Sequence, residues 1–64
     1  MDLADKIEEI GRALTAAEIG ALLHFGRTAL YGMTKAGTIP SFKLGTSVRY
    51  DPYRIAEWLR KRSR

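Results

Sequence analysis

The sequence contains no cysteine, a single histidine, two prolines and one tryptophan in 64 residues. Without cysteine there is neither a disulfide framework nor a thiolate metal site, so no staple supplements the core and the chain suits a reducing cytoplasm. The lone His24 has no partner cluster for metal or acid–base work, and its place between two helical patterns marks it as a turn residue tolerating an unusual backbone angle. No apolar run approaches the roughly 18 to 20 residues of a membrane span. Asp2, Asp5, Glu8 and Glu9 reverse the basic start of a signal peptide, so the expectation is a protein that is neither exported nor anchored. A domain this short hides only about 60% of the surface that its unfolded chain exposes, so core and site cannot both be elaborate. Multi-step catalysis is not expected, nor is a cofactor or metal; the N-terminal carboxylates lie on an exposed helix face with no nucleophile or pocket.

Charge is what the chain has in quantity, and it is divided. Up to Gly26 there are two basic and five acidic side chains, a balance of −3; from Arg27 onward there are nine basic and two acidic ones, a balance of +7. An acidic body joined to a cationic surface is the electrostatic footprint of a polyanion binder, although a basic face kept for solubility has the same composition.

Leu3, Ile7, Ile10 and Leu14 recur at helical spacing and predict an amphipathic helix over 2–11, weakened at its end by Gly11. Its apolar stripe packs either on its own domain or on a neighbour. Thr15 and Glu18 form a capping-box signature, with Leu14 placed to staple onto Ile19, so a second helix begins at Ala16. It stops near His24, and only three residues, His24, Phe25 and Gly26, precede a third helical pattern. So short a connection forces a steep crossing, as in a helix-turn-helix, with Phe25 plugging the angle. In the third helix, over 27–36, Leu30, Met33 and Ala29 form the inward face; Gly37 and Pro40 end it. Two short alternating runs, 41–44 and 48–50, flank Gly45, Thr46 and Ser47 as a β-hairpin. Phe42, Leu44, Val48 and Tyr50 are expected on one face, with Lys43 and Arg49 on the other. Asp51 and Pro52 open a last helix whose Ile55, Trp58 and Leu59 return to the core. The expected fold is thus mainly α with a small β-hairpin, a winged helix-turn-helix over 14–64 preceded by an extra N-terminal helix within 1–13.

A helix-turn-helix with a cationic hairpin makes a two-pronged clamp for double-stranded DNA, the helix entering the major groove and the wing lying along a neighbouring groove or backbone. On the third helix Arg27, Thr28, Tyr31 and Lys35 occupy the positions of base edges and flanking phosphates, Arg27 being the best candidate for base readout. Tyr31 has the alternative of a half-buried core residue. In the wing, Lys43 and Arg49 supply charge, and Thr46 and Ser47 are small enough for a narrow minor groove. Lys43 and Arg49 also fit a solvated edge that protects an exposed strand from aggregation. Arg60, Lys61, Arg62 and Arg64 add sequence-independent attraction. An RNA binder is disfavoured, because such modules display stacking aromatics and most aromatics here are expected inside.

Residues 14 to 59 resemble the small excisionase-type, MerR-like winged helix-turn-helix family. The resemblance rests on Leu14, Thr15 and Glu18 at the opening, the Leu22 and Leu23 pair, and Arg27 with Tyr31 in the recognition helix. It continues through Gly37, Ile39 and Pro40 at the exit, Gly45 in the wing, Arg49 before Tyr50, and Trp58 with Leu59. The chain departs from the family pattern at His24, at Gly26 and at Gly32, which leaves the middle of the recognition helix without a side chain. The resemblance implies a phage or mobile-element excisionase, a recombination directionality factor in the cytoplasm of a bacterial host and associated with its nucleoid. Such a protein binds attachment-site DNA in tandem copies, bends it and assists a phage integrase to excise. Complementary acidic and basic ends suit a head-to-tail array of copies, with Leu3, Ile7, Glu8, Glu9 and Ile10 as candidate subunit contacts. Two other readings remain: a transcription regulator of the same fold, and a protein-interaction module docking through the N-terminal apolar stripe.

Overall fold

Local signals in the chain dictate most of its helix boundaries. In the computed structural model, which describes residues 2–62, Asp2 caps helix α1 (Leu3–Ile10) by accepting a 2.9 Å hydrogen bond from the Asp5 amide. Thr15 and Glu18 form the full capping box of α2 (Ala16–Leu23): the Glu18 amide donates to the Thr15 hydroxyl and the Thr15 amide to the Glu18 carboxylate. Two orphan amides at the helix start are thereby satisfied. His24 ends α2 in the left-handed region at φ 60°, its amide donating to the Gly20 carbonyl. Helix α3 (Arg27–Ala36) follows after Phe25 and Gly26, and Asp51 opens α4 (Pro52–Arg62) by accepting from the Tyr53 amide at 2.8 Å.

Strands β1 (Phe42–Leu44) and β2 (Ser47–Arg49) form an antiparallel hairpin, so the chain is a winged helix-turn-helix of four helices and a two-stranded wing. Its connection is two residues, Gly45 and Thr46, not the three expected, because Ser47 pairs with Leu44 and belongs to β2. Gly45 takes a positive φ of 67° at the first of the two central positions, where a tight hairpin of this kind needs glycine. Shortening the turn by one residue slips the register by one and exchanges the faces. Lys43 therefore stands opposite Val48, while Phe42 pairs with Arg49 and Leu44 with Ser47 on the other face. Phe42 is 40% and Leu44 63% exposed, so this apolar pair points outward, contrary to expectation.

Each segment sends one large side chain inward: Ile7 from α1, Leu14 from the linker, Ile19 from α2, Leu30 from α3, Ile39 from the loop after it, Tyr50 after β2 and Ile55 from α4. Helix α1 packs on α4, and buried Ala4 and Ala56 are small enough for the two to approach closely. The apolar stripe of α1 is thus covered within its own chain: Ile7 is fully buried, and Leu3 and Ile10 pack against the core. Ala29, expected among the inward residues of α3, is exposed; Leu30 and Met33 supply the apolar part of that face.

Tyr50 joins these parts. Its backbone exchanges two hydrogen bonds with Leu14, 2.8 and 2.9 Å, which ties the linker ahead of α2 to the end of the wing. Its side chain is 1% exposed, and its hydroxyl lies 2.7 Å from the Thr34 hydroxyl of α3. A second cross-brace runs from the Trp58 indole N–H to the Thr38 carbonyl at 2.7 Å. Replacing Tyr50 by Phe keeps the ring and removes one largely buried hydrogen bond. We expect Tyr50→Phe to lower stability by about 1 kcal/mol, a fall of roughly 4 to 8 °C in Tm, with far-UV circular dichroism unchanged. An unaltered Tm would show that the hydroxyl pair contributes nothing to holding α3 and the wing together.

Candidate nucleic-acid interface

On α3, Arg27, Thr28, Tyr31 and Lys35 are all exposed. Tyr31 is 61% exposed, so it is a surface residue and not part of the core. The reason is helical periodicity: Leu30, Met33 and Thr34 point to the core, and these four positions fall on the remaining arc. Arg27 and Tyr31 also border an open cleft of about 520 Å³ between α2 and α3, whose α2 wall is made of Ala16, Ala17, Gly20 and Ala21. Small residues on α2 keep the cleft open, and Arg27 places a guanidinium at its edge.

The wing contributes unevenly. Lys43 and Thr46 are exposed, whereas Ser47 and Arg49 are half-buried, and the Arg49 guanidinium donates at 2.9 Å to its own neighbour, the Val48 carbonyl. The outward wing face combines Arg49 with Phe42 and Leu44, a mixture of charge and apolar surface hidden from sequence reading by the register. Arg54, singled out by no motif, is exposed on α4 and lines a groove with Pro40, Phe42 and Asp51. Tyr53 is 58% exposed, so with Tyr31 and Phe42 three of the aromatics lie on the surface, which corrects the expectation that most are inside. Phe42 turns outward with the one-residue change of register, and Tyr31 and Tyr53 fall on the outer arcs of α3 and α4.

The C-terminal cations do not act alike. Arg60 is clamped by two carboxylates of α1, with 2.7 Å contacts from its Nη1 to Glu8 and from its Nη2 to Asp5. Its guanidinium holds the Glu8 carboxyl below the usual range, chiefly through the direct hydrogen bond. Arg60 is thus engaged within the chain instead of extending a free tail. Arg62 stacks over the Trp58 ring at 4.8 Å, a cation–π contact, and Lys61 is exposed beside it. Arg64 lies outside the described residues. Among the candidate subunit contacts, Ile7 is wholly inside, Leu3, Glu8 and Ile10 are half-buried, and Glu9 is exposed.

Arg12 pairs likewise with Glu18 at 2.6 Å and braces the start of α2, so Arg12 and Arg60 are both neutralised internally. By contrast, Arg27, Lys35 and Lys43 have no ion pair among the described residues. The unbalanced positive charge therefore includes the exposed side of α3 and the wing. Among the described residues no cluster of three metal-binding side chains occurs, and no helix is long and apolar enough to cross a membrane.

A family model for the helix-turn-helix domain matches residues 13–63. No curated protein sequence and no solved structure matches the chain.

The ion pairs give stability a defined acid limb. Hydrogen bonds from Arg12 and from the Thr15 amide lower the Glu18 carboxyl from 4.5 to about 2. A carboxyl depressed on folding stabilises the native state at pH above its unfolded value and loses that contribution as pH falls toward its folded value. Tm is therefore expected to hold down to about pH 5 and then to fall toward about pH 2. In Glu18→Gln, thermal melts should show a lower Tm near neutrality and a shallower acid fall. An acid limb as steep as the parent's would remove Glu18 as its source.

Proposed function

The chain belongs to the helix-turn-helix domain family, and we propose that within this DNA-binding fold it is an excisionase, a factor that binds attachment-site DNA, bends it and directs an integrase toward excision. The observation that carries the DNA-binding part is the exposed row Arg27, Thr28, Tyr31 and Lys35 on α3, its cations without an ion pair among the described residues, set beside a cationic wing. Arg27 presents a fork of donors suited to guanine O6 and N7, and Lys35 a point charge for phosphate. Thr28 and Tyr31 add hydroxyls for bases or backbone. Lys43 and Thr46 follow the backbone or minor groove as the wing lies alongside, with Ser47 and Arg49 behind them.

Bending is supported by the outward pair Phe42 and Leu44. Apolar side chains on a minor-groove element act as wedges between base steps and kink the duplex. One module buries only about 600 to 1,000 Å² on DNA, whereas bending a short site costs on the order of 1 to 6 kcal/mol. Adjacent copies sharing that cost account for both terms, and they meet head to tail, the acidic α1 of one against the basic face of the next. The surface for this contact is Glu9 with the accessible parts of Leu3 and Ile10, since Ile7 is inside and Glu8 holds Arg60. The protein partners of this reading are other copies of the chain and a phage integrase, acting at the nucleoid of a bacterial host.

The test is a gel-shift titration on attachment-like duplexes and circularly permuted fragments at two salt concentrations. Expected are several cooperative shifts, mobility that depends on site position, and affinity that falls steeply with salt. Tight binding of one isolated site without bending would replace this reading with a transcription regulator; no salt-sensitive binding to any duplex would end the DNA reading. Arg27→Ala should cost about 1 to 3 kcal/mol and relax specificity at one base pair. Glu9→Lys should leave the first shift in place and lower the Hill coefficient; an unchanged coefficient would rule out this subunit surface.

A further inference from the structure

Five of the six glycines have a reason within the chain. Gly11, Gly37 and Gly45 take positive φ, Gly26 is an N-cap, and a Cβ on Gly20 would come within 3.2 Å of the Phe25 carbonyl oxygen. Gly32 has none of these. It sits in the middle of α3 without a positive φ, and a Cβ there would meet nothing within 4 Å. Mid-helix glycine destabilises a helix relative to alanine, through backbone entropy, and here no contact inside the protein offsets the loss.

Its position supplies a reason outside the chain. Gly32 follows Leu30 by two residues, which places it about 200° around the helix from the buried side. On that outer arc Thr28 lies one turn before it and Lys35 one turn after it, about 40° and 60° round the helix, so Gly32 borders the row assigned to DNA at the point farthest from the core. We propose that Gly32 is where α3 comes closest to the floor of the major groove, the missing side chain leaving room for a base-pair edge. This rests on the DNA-binding reading and deepens it: Gly32 sets how deep the helix sits, and thereby whether Arg27, Thr28 and Lys35 reach their partners together. Gly32 is a positioning residue, acting through the side chains on either side of it.

The experiment compares the full chain with Gly32→Ala and Gly32→Gln, by thermal melts and by gel shift on the duplex segment that footprinting of the parent chain identifies. Gly32→Ala should melt roughly 4 °C higher, because alanine favours the helix and meets no neighbour. It should also bind about tenfold more weakly, as expected for overpacking of a close-fitted contact, with Gly32→Gln weaker still. The salt slope should stay that of the parent, because the phosphate contacts are retained. Equal or tighter binding by Gly32→Ala overturns the inference while leaving DNA binding intact, and a salt slope reduced by about one contact overturns it in favour of phosphate proximity. Failure of Gly32→Ala to gain stability overturns it as well, by giving the glycine an internal role. A parent that binds no duplex removes the DNA reading and this inference with it.

Discussion

The paired hydrogen bonds between Leu14 and Tyr50 determine how the two prongs of this protein stand relative to each other. A two-stranded hairpin is marginal in water by itself, and this one has three residues in each strand. It gains a fixed base because Leu14, immediately before the α2 cap, pairs with Tyr50, immediately after β2. The Tyr50 ring fills the core and its hydroxyl meets Thr34 on α3, so one residue locks the wing to the helix-turn-helix through both backbone and side chain. Geometry is thereby set by a buried residue, and the exposed residues are released for contact.

Electrostatics follow the same economy. Helix α1 covers the core with Ala4 and Ile7 on one side and clamps Arg60 of α4 with Asp5 and Glu8 on another. Exposed ion pairs of this kind contribute little to stability one by one and weaken in salt. Their larger effect is on the distribution of charge: Arg60 and Arg12 are neutralised near acidic groups, while Arg27, Lys35 and Lys43 on α3 and the wing have no ion pair among the described residues. An overall balance of +4 understates the field on that side of the molecule.

Local chemistry made the helices legible in the sequence. The Thr15 and Glu18 box, the Gly37 and Pro40 exit, and the Asp51 and Pro52 start are each complete within a few residues, and α2, α3 and α4 begin or end there. What was hidden depended on distance or on parity. The Leu14 and Tyr50 bridge joins residues far apart in sequence, with no local pattern to announce it. The wing differed by one residue in its turn, which was enough to turn Phe42 and Leu44 outward and bring Lys43 opposite Val48. In the candidate interface, the exposed arc of α3 followed directly from periodicity. The fate of Arg60 did not, because its partners lie on the first helix of the chain.

If α3 enters the major groove as proposed, its side chains limit how much sequence a single copy can read. Of the four exposed candidates only Arg27 has the rigid fork for bidentate readout of guanine, and one such pair discriminates by about 1 to 3 kcal/mol. Specific binding usually exceeds non-specific binding by about 4 to 10 kcal/mol, and a glycine at the centre of the helix adds no hydrogen bond of its own. On the proposed reading the remainder would come from terms that do not require base contacts: the deformability of the bound sites and coupling between neighbouring copies. A protein with few base-reading side chains and an apolar, cationic wing is thus suited to selecting sites by shape and spacing, and in the proposed array discrimination would belong to the copies together more than to any one of them.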